Sequence, residues 1–238
     1  MVFAATVLLA SAIAPAAAFP PYRSTDADTA PPWTLETRLG LVRVERESSE
    51  TSYESPLFRG NFGLPGHVEI LTEFSHQPET GERDLAAGFK WVPYFDSVSA
   101  GIETLALLPT LGSSGVGVES LFLSTFRSDP LSFHVNAGGF YDPRPAEAEH
   151  GWKAGAIVEF RVLRLRPGVE VFAKGIDSEK TLLIAGPGLI VDFGGFDVRV
   201  GFHCGLTREA PDLVSSVWVT TAIPLGGGGT VRTPEPSE

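Results

Sequence analysis

Charged and amide side chains along this chain fall on one face of a period-two alternation. Glu36 and Arg38 share such a face, as do Arg59 and Asn61, and Glu69 and Glu73. Further along, the same spacing sets Lys90, Glu103, Glu119, Arg127, His134, Asn136, Lys153, Glu159, Glu170, Lys174, Arg199 and His203 opposite apolar residues. Several chemistries are open to this set. Glu69 and Glu73 could hold a cation, line a pore, or pair with Lys90 on the following segment. Arg199 and His203 could meet an anionic solute or join an ion-pair network. His134 or His203 could act as the base of a hydrolase, but that reaction needs a nucleophile beside the base, and the sequence carries no nucleophile motif. The five histidines lack the spacing of a metal site. No metal and no cofactor are expected. The glycines at 226–229 resemble a phosphate loop in composition alone, without the lysine or the strand–helix context.

The elements that must position these residues follow from the same alternation. Val68, Ile70, Thr72 and Phe74 face one way, while Glu69, Glu73 and Ser75 face the other. Phe196, Val198, Val200 and Phe202 oppose Asp197, Arg199 and His203 in the same manner. Period-two patterning predicts strands, not helices. It gives about twelve of them, at residues 33–45, 53–62, 68–76, 85–92, 98–108, 116–127, 131–141, 151–161, 169–175, 181–192, 196–206 and 213–225. The tenth is apolar on both faces and says least about its orientation. An even number of such strands, near the length that a tilted membrane strand requires, predicts an all-β fold: an antiparallel up-and-down transmembrane β-barrel.

The connections argue independently for the same architecture. Those at 64–66, 93–97, 128–130, 164–167 and 194–195 are tight. Those between, including 77–84 and 142–150, are mostly longer and charged. Outer-membrane barrels have short periplasmic turns and longer outer loops. A soluble barrel or sandwich would put its apolar face inside and a denser set of charges in water. Here the polar face is thin in charge and rich in glycine, which leaves room for large neighbours inside. Trp33, Trp91, Tyr94, Tyr141, Trp152 and Phe196 fall near strand ends, as an interfacial girdle would. If the apolar faces meet lipid, the polar faces meet each other, and the eighteen charged and polar residues above become one lumen set. Unpaired, they would be costly to bury, so they should form networks.

Bulk composition narrows the classes further. The chain has 238 residues, suited to one barrel domain, and a net charge of -11, which argues against nucleic acid as a partner. Residues 1–18 read as a signal peptide with a small-residue cleavage site at Ala16, Ala17 and Ala18, though without the usual basic start, so the start codon could lie further upstream. Residues 19–32 are expected to form a periplasmic N-terminal segment, 33–225 the barrel and 226–238 a flexible tail. The single cysteine, Cys204, is expected to be a small packing residue. The expected location is the outer membrane, with its lipid and lipopolysaccharide as surroundings and a small solute as cargo.

The run Arg59-Gly60-Asn61-Phe62-Gly63-Leu64, followed by Val68-Glu69, resembles a turn of the outer-membrane barrels grouped with the MetA-like proteins of phenol-degradation clusters. Gly88-Phe89-Lys90-Trp91, Gly138-Gly139-Phe140-Tyr141-Asp142 and Asp192-Phe193-Gly194 are similar to that family too. The resemblance implies an outer-membrane transporter or channel and no enzyme. The other readings are a lipid-modifying enzyme and a non-conducting barrel with an adhesive or structural role. The chain departs from usual barrel practice at its end, where Leu225 is followed by a polar tail in place of a terminal aromatic strand.

Overall fold

The structure is a computed structural model that describes residues 20–46, 51–110, 114–145, 148–176 and 180–225. The predicted signal peptide and C-terminal tail lie outside the described residues. Every regular element described is a strand. In chain order these are β1 (Thr34–Glu45), β2 (Thr51–Leu64), β3 (Val68–His76), β4 (Arg83–Tyr94), β5 (Val98–Leu108), β6 (Gly117–Ser128), β7 (Leu131–Asp142), β8 (Glu149–Phe160), β9 (Leu165–Ile176), β10 (Lys180–Asp192), β11 (Phe196–Gly205) and β12 (Leu213–Pro224). Each pairs antiparallel with its sequence neighbours. β1 pairs with β12 from Thr34↔Pro224 to Glu45↔Leu213, which closes the ring. Closure leaves no unpaired sheet edge.

Local chemistry sets the turns. β2 passes to β3 through Pro65-Gly66-His67, where Gly66 takes a φ of 82° and His67 one of 56°. β10 passes to β11 through Gly194, whose φ is 87° and whose N–H donates to Asp192 Oδ1 at 2.6 Å. At the other end of the barrel, Arg144 donates to both carboxylate oxygens of Asp142 at 2.8 and 2.7 Å and reaches Asp84 at 3.2 Å, so it ties two loops together. Hydrogen bonding to Asp142 raises the Arg144 guanidinium above its usual range. We call the two ends the tight-turn end and the loop end.

The ninth strand starts earlier than predicted. Arg166 and Pro167 read as a turn, but Val162 and Leu165 close it by donating to each other's carbonyls at 2.9 and 2.8 Å, and Pro167 already pairs with Leu189. Cys204 is exposed on the outer face; alternation from His203 turns it away from the packed interior. Large apolar residues such as Leu39, Phe89, Phe122, Phe133 and Val217 are also exposed there. An apolar belt on that scale needs apolar surroundings.

The core is the lumen, and the barrel wall does not fill it alone. Residues 20–30 run across the tight-turn half of the interior, with Tyr22, Ser24, Thr25, Asp26 and Ala27 buried. This segment, read from sequence as lying ahead of the barrel, is an internal strap. Inward glycines make room for it: a side chain at Gly155 would strike Ser24, one at Gly168 or Gly188 would strike Tyr22, and one at Gly63 would strike the Ala30 and Pro31 backbone. Tyr22 packs against Ile157. The strap also explains why β10 is apolar on both faces. Its inner face passes Pro21 and Tyr22 at Gly188, while its outer face joins the belt.

Candidate functional site

The eighteen polar residues predicted for the lumen all project inward, and they sort into three sets. The first grips the strap. Glu170 accepts from the backbone N–H groups of Arg23 at 2.8 Å and Ser24 at 2.6 Å. Asn136 accepts from Thr25 N–H and donates to Thr25 C=O, both at 2.6 Å. Glu69 accepts from Ala30 N–H at 3.0 Å. Lys90 donates to Thr25 Oγ1 at 3.2 Å and to Asp28 C=O at 3.1 Å, with Asp26 at 3.6 Å. Arg127 pairs with the Asp28 carboxylate. Arg199 donates to Pro20 C=O at 3.0 Å. An extended segment has no internal ladder, so its buried N–H and C=O groups need such partners.

The second set holds the first in place. Arg38 donates twice to Glu36 Oε1, at 2.9 and 2.7 Å, and Arg199 lies 3.9 Å from the same oxygen. Arg199 also donates to Asp197 at 2.6 and 2.8 Å. Arg59 donates to Asn61 at 3.2 Å, to Glu103 at 2.8 Å, and to Glu73. Lys90 lies 3.8 Å from both Glu69 and Glu103. Of the two carboxylates expected to meet Lys90, only Glu69 does. Register sets Glu73 opposite Arg59, four residues further along β3 than Glu69. His203 Nε2 lies 2.9 Å from Glu170, and His134 Nδ1 lies 2.9 Å from Thr125 Oγ1.

Those two histidines were the candidate bases. His134 stands between the Thr125 hydroxyl and Glu159, which is 3.7 Å from Nε2. The residue types resemble a nucleophile, base and acid. However, Thr125 is wholly buried, and its oxygen accepts the Ala27 N–H at 2.8 Å. The threonine is a strap anchor. His203 likewise backs Glu170, the carboxylate that holds two strap N–H groups.

The third set stands apart in the loop half. Glu119 pairs with Lys153, and Lys174 stands beside Lys153 on the next strand. Beside it, the loop-half interior carries two apolar clusters, Val42, Val44, Val214 and Trp218 in one and Leu71, Ala86 and Leu105 in the other, with Glu73 on the loop side of Leu71.

Charge at mid-lumen is closed off from water. Arg38 is 1% exposed, while Lys90 and Arg199 are 0% exposed. Three long cations from β1, β4 and β11 would show more surface if a water-wide passage ran between them. Thr125 and Asp197 fall on the polar face by alternation but were left out of the predicted lumen set, and Arg166, which lies 3.7 Å from Glu159, and the strap itself were not singled out from sequence. Asp26, an acid among small residues ahead of the first strand, was the available signal for the strap.

A closed twelve-stranded antiparallel wall, an apolar exterior and a charged interior define a porin-like β-barrel. Comparison with solved structures places the fold in the same class. The chain is similar to a NanC porin (TM-score 0.60, 9% identity, 79% of this chain and 98% of that one). It is similar also to the COG4313 outer membrane channel from Pseudomonas putida F1 (TM-score 0.61, 11% identity, 83% and 98%). At these identities the likeness is one of fold. No family model matches the chain, and no curated protein does.

Proposed function

We propose that this chain is an outer-membrane channel for small solutes whose passage is set by its own N-terminal strap. The observation that carries the reading is the way the lumen is filled. The seal is a separate segment, held by hydrogen bonds and ion pairs to side chains of β3, β4, β6, β7, β9 and β11. A barrel meant to be solid can fill its lumen with wall side chains, whereas a noncovalent strap can leave. The apolar belt fits outer-membrane lipid and lipopolysaccharide as surroundings, and residues 1–18 fit an exported leader. Tight turns would then face the periplasm and the loops the exterior. The Arg59–Glu69 turn supports kinship with the MetA-like barrels. The reading includes no catalysis.

The test is conductance. Purified protein in planar bilayers is expected to give small or flickering currents, and a variant lacking residues 20–30 steady open-channel currents. Absence of current in both, with liposome swelling equal to empty vesicles, would sink the channel reading. It would favour instead a non-conducting structural or adhesive barrel, the reading that the closed mid-lumen around Arg38, Lys90 and Arg199 supports.

A further inference from the structure

The wall holds the strap mostly by its main chain. Wall side chains accept from the N–H groups of Arg23, Ser24, Thr25, Ala27 and Ala30. They donate to the C=O groups of Pro20, Thr25 and Asp28. The acceptors are Glu170, Asn136, Thr125 and Glu69, and the donors are Arg199, Asn136 and Lys90. Asn136 takes both groups of Thr25, as a neighbouring strand would. Every peptide carries N–H and C=O groups. Such bonds therefore recognise an extended backbone and leave most of its sequence unread.

The strap's own side chains are matched less well. The hydroxyls of Tyr22 and Ser24 are buried and have no hydrogen-bond partner among the described residues. A buried hydroxyl left unpaired is costly, and an apolar group of the same shape avoids that cost. What the wall does read is size and charge. Tyr22 lies against Gly168 and Gly188, where a ring fits, and Ser24 lies against Gly155, where only a small side chain does. Ala27 packs on Val92 and Leu123. Asp26 stands 3.6 Å from Lys90, and Asp28 pairs with Arg127.

We infer that the seat beneath the strap is a binding site for a free, extended peptide, recognised chiefly through its backbone. The ligand carries an apolar ring where the strap has Tyr22, small apolar residues at the positions of Ser24 and Ala27, and an acid facing Lys90. The strap fills this site until such a peptide displaces it. The inference rests on the channel reading for its purpose: the peptide is then the solute, and its arrival unseats the strap.

Trypsin cleavage of the full chain after Arg23 reports an unseated strap and needs no conduction. The competitor is a synthetic peptide of residues 20–30 carrying Arg23→Gln, which trypsin cannot cut, with Tyr22→Phe and Ser24→Ala. A segment on a short tether competes at a local concentration of roughly millimolar, so the peptide is titrated through that range. Cleavage of the protein is expected to rise saturably, by about tenfold or more. A peptide that keeps both hydroxyls should need about ten times the concentration for the same rise. N-methylation of the first peptide at positions 24 and 25 removes the donors that face Glu170 and Asn136, and should abolish the effect. The inference falls if cleavage does not rise, if the methylated peptide acts as the unmethylated one does, or if the peptide with both hydroxyls competes better. Bilayer currents separate the two claims. Faster cleavage with no current, peptide present or absent, removes the channel and keeps the site; current with no effect of peptide on cleavage removes the site alone.

Discussion

In the tight-turn half of the lumen, most of the charges that hold the strap are hidden, Arg127 being an exception. Glu69, Lys90, Glu170 and Arg199 are all at most 1% exposed, and each touches the strap. In the loop half, Lys153 and Lys174 keep about a quarter of their side chains exposed, above a wall that includes Leu71, Leu105 and Trp218. The difference separates two uses of an inward charge. Near the tight turns, charges answer the backbone of an internal segment, as a buried unpaired polar group would require. Near the loops, they remain available to something that arrives from outside. A polar lumen in a barrel of this size is therefore not evidence of a polar pore by itself.

That contrast can be broken at graded cost. Removing residues 20–30 should have the largest effect: the tight-turn half loses its contents, and bilayer recordings should change from closed or flickering to steadily open. Glu170→Gln comes next. It weakens two charge-assisted hydrogen bonds from the strap and the contact with His203, a loss of about 3 kcal/mol in seating the strap, or roughly a hundredfold in its unseated population. Trypsin cleavage after Arg23, which requires the strap to leave the lumen, reads this directly; an unchanged cleavage rate would show that Glu170 is not an anchor. Gly155→Val should cost about 1–3 kcal/mol by driving a side chain into Ser24. It too should speed cleavage, while the barrel itself resists heat as before. Leu105→Val, in the loop half, should cost about 1 kcal/mol of barrel stability by denaturant titration and leave trypsin cleavage unaltered. If Leu105→Val loosened the strap as well, the two halves would be one cooperative unit.

The wall was legible in the sequence because its rule is local. A residue's side of a strand depends only on parity. Glu103, His134 and Arg199 therefore fell on the inner face without knowledge of any partner. Their pairings were less legible, because they depend on register between strands. Glu73 was matched with Lys90, where register delivers Arg59. The strap left only a faint signal, the acid at Asp26. Residues 20–30 carry no period-two pattern, since each residue is fitted to a different strand: Ala27 to Thr125, Thr25 to Asn136, Tyr22 to Gly188. Small and Pro-rich composition reads as a linker when its partners lie far away in the chain. The glycines recorded the strap from the other side. The glycine-rich inner face was expected to leave room for large neighbours, and Gly63, Gly155, Gly168 and Gly188 are the footprint of the strap.

The anchors of the strap also set an order of assembly. Arg23 and Ser24 depend on Glu170, more than 140 positions further along the chain, and Pro20 depends on Arg199. The segment made before any strand can thus take its seat only after nine to eleven strands have taken theirs. Contacts of such long sequence separation form late. The seat of the strap therefore exists only where those distant strands stand side by side. Unseating the strap would break its contacts with the wall and none of the strand pairings that close the ring.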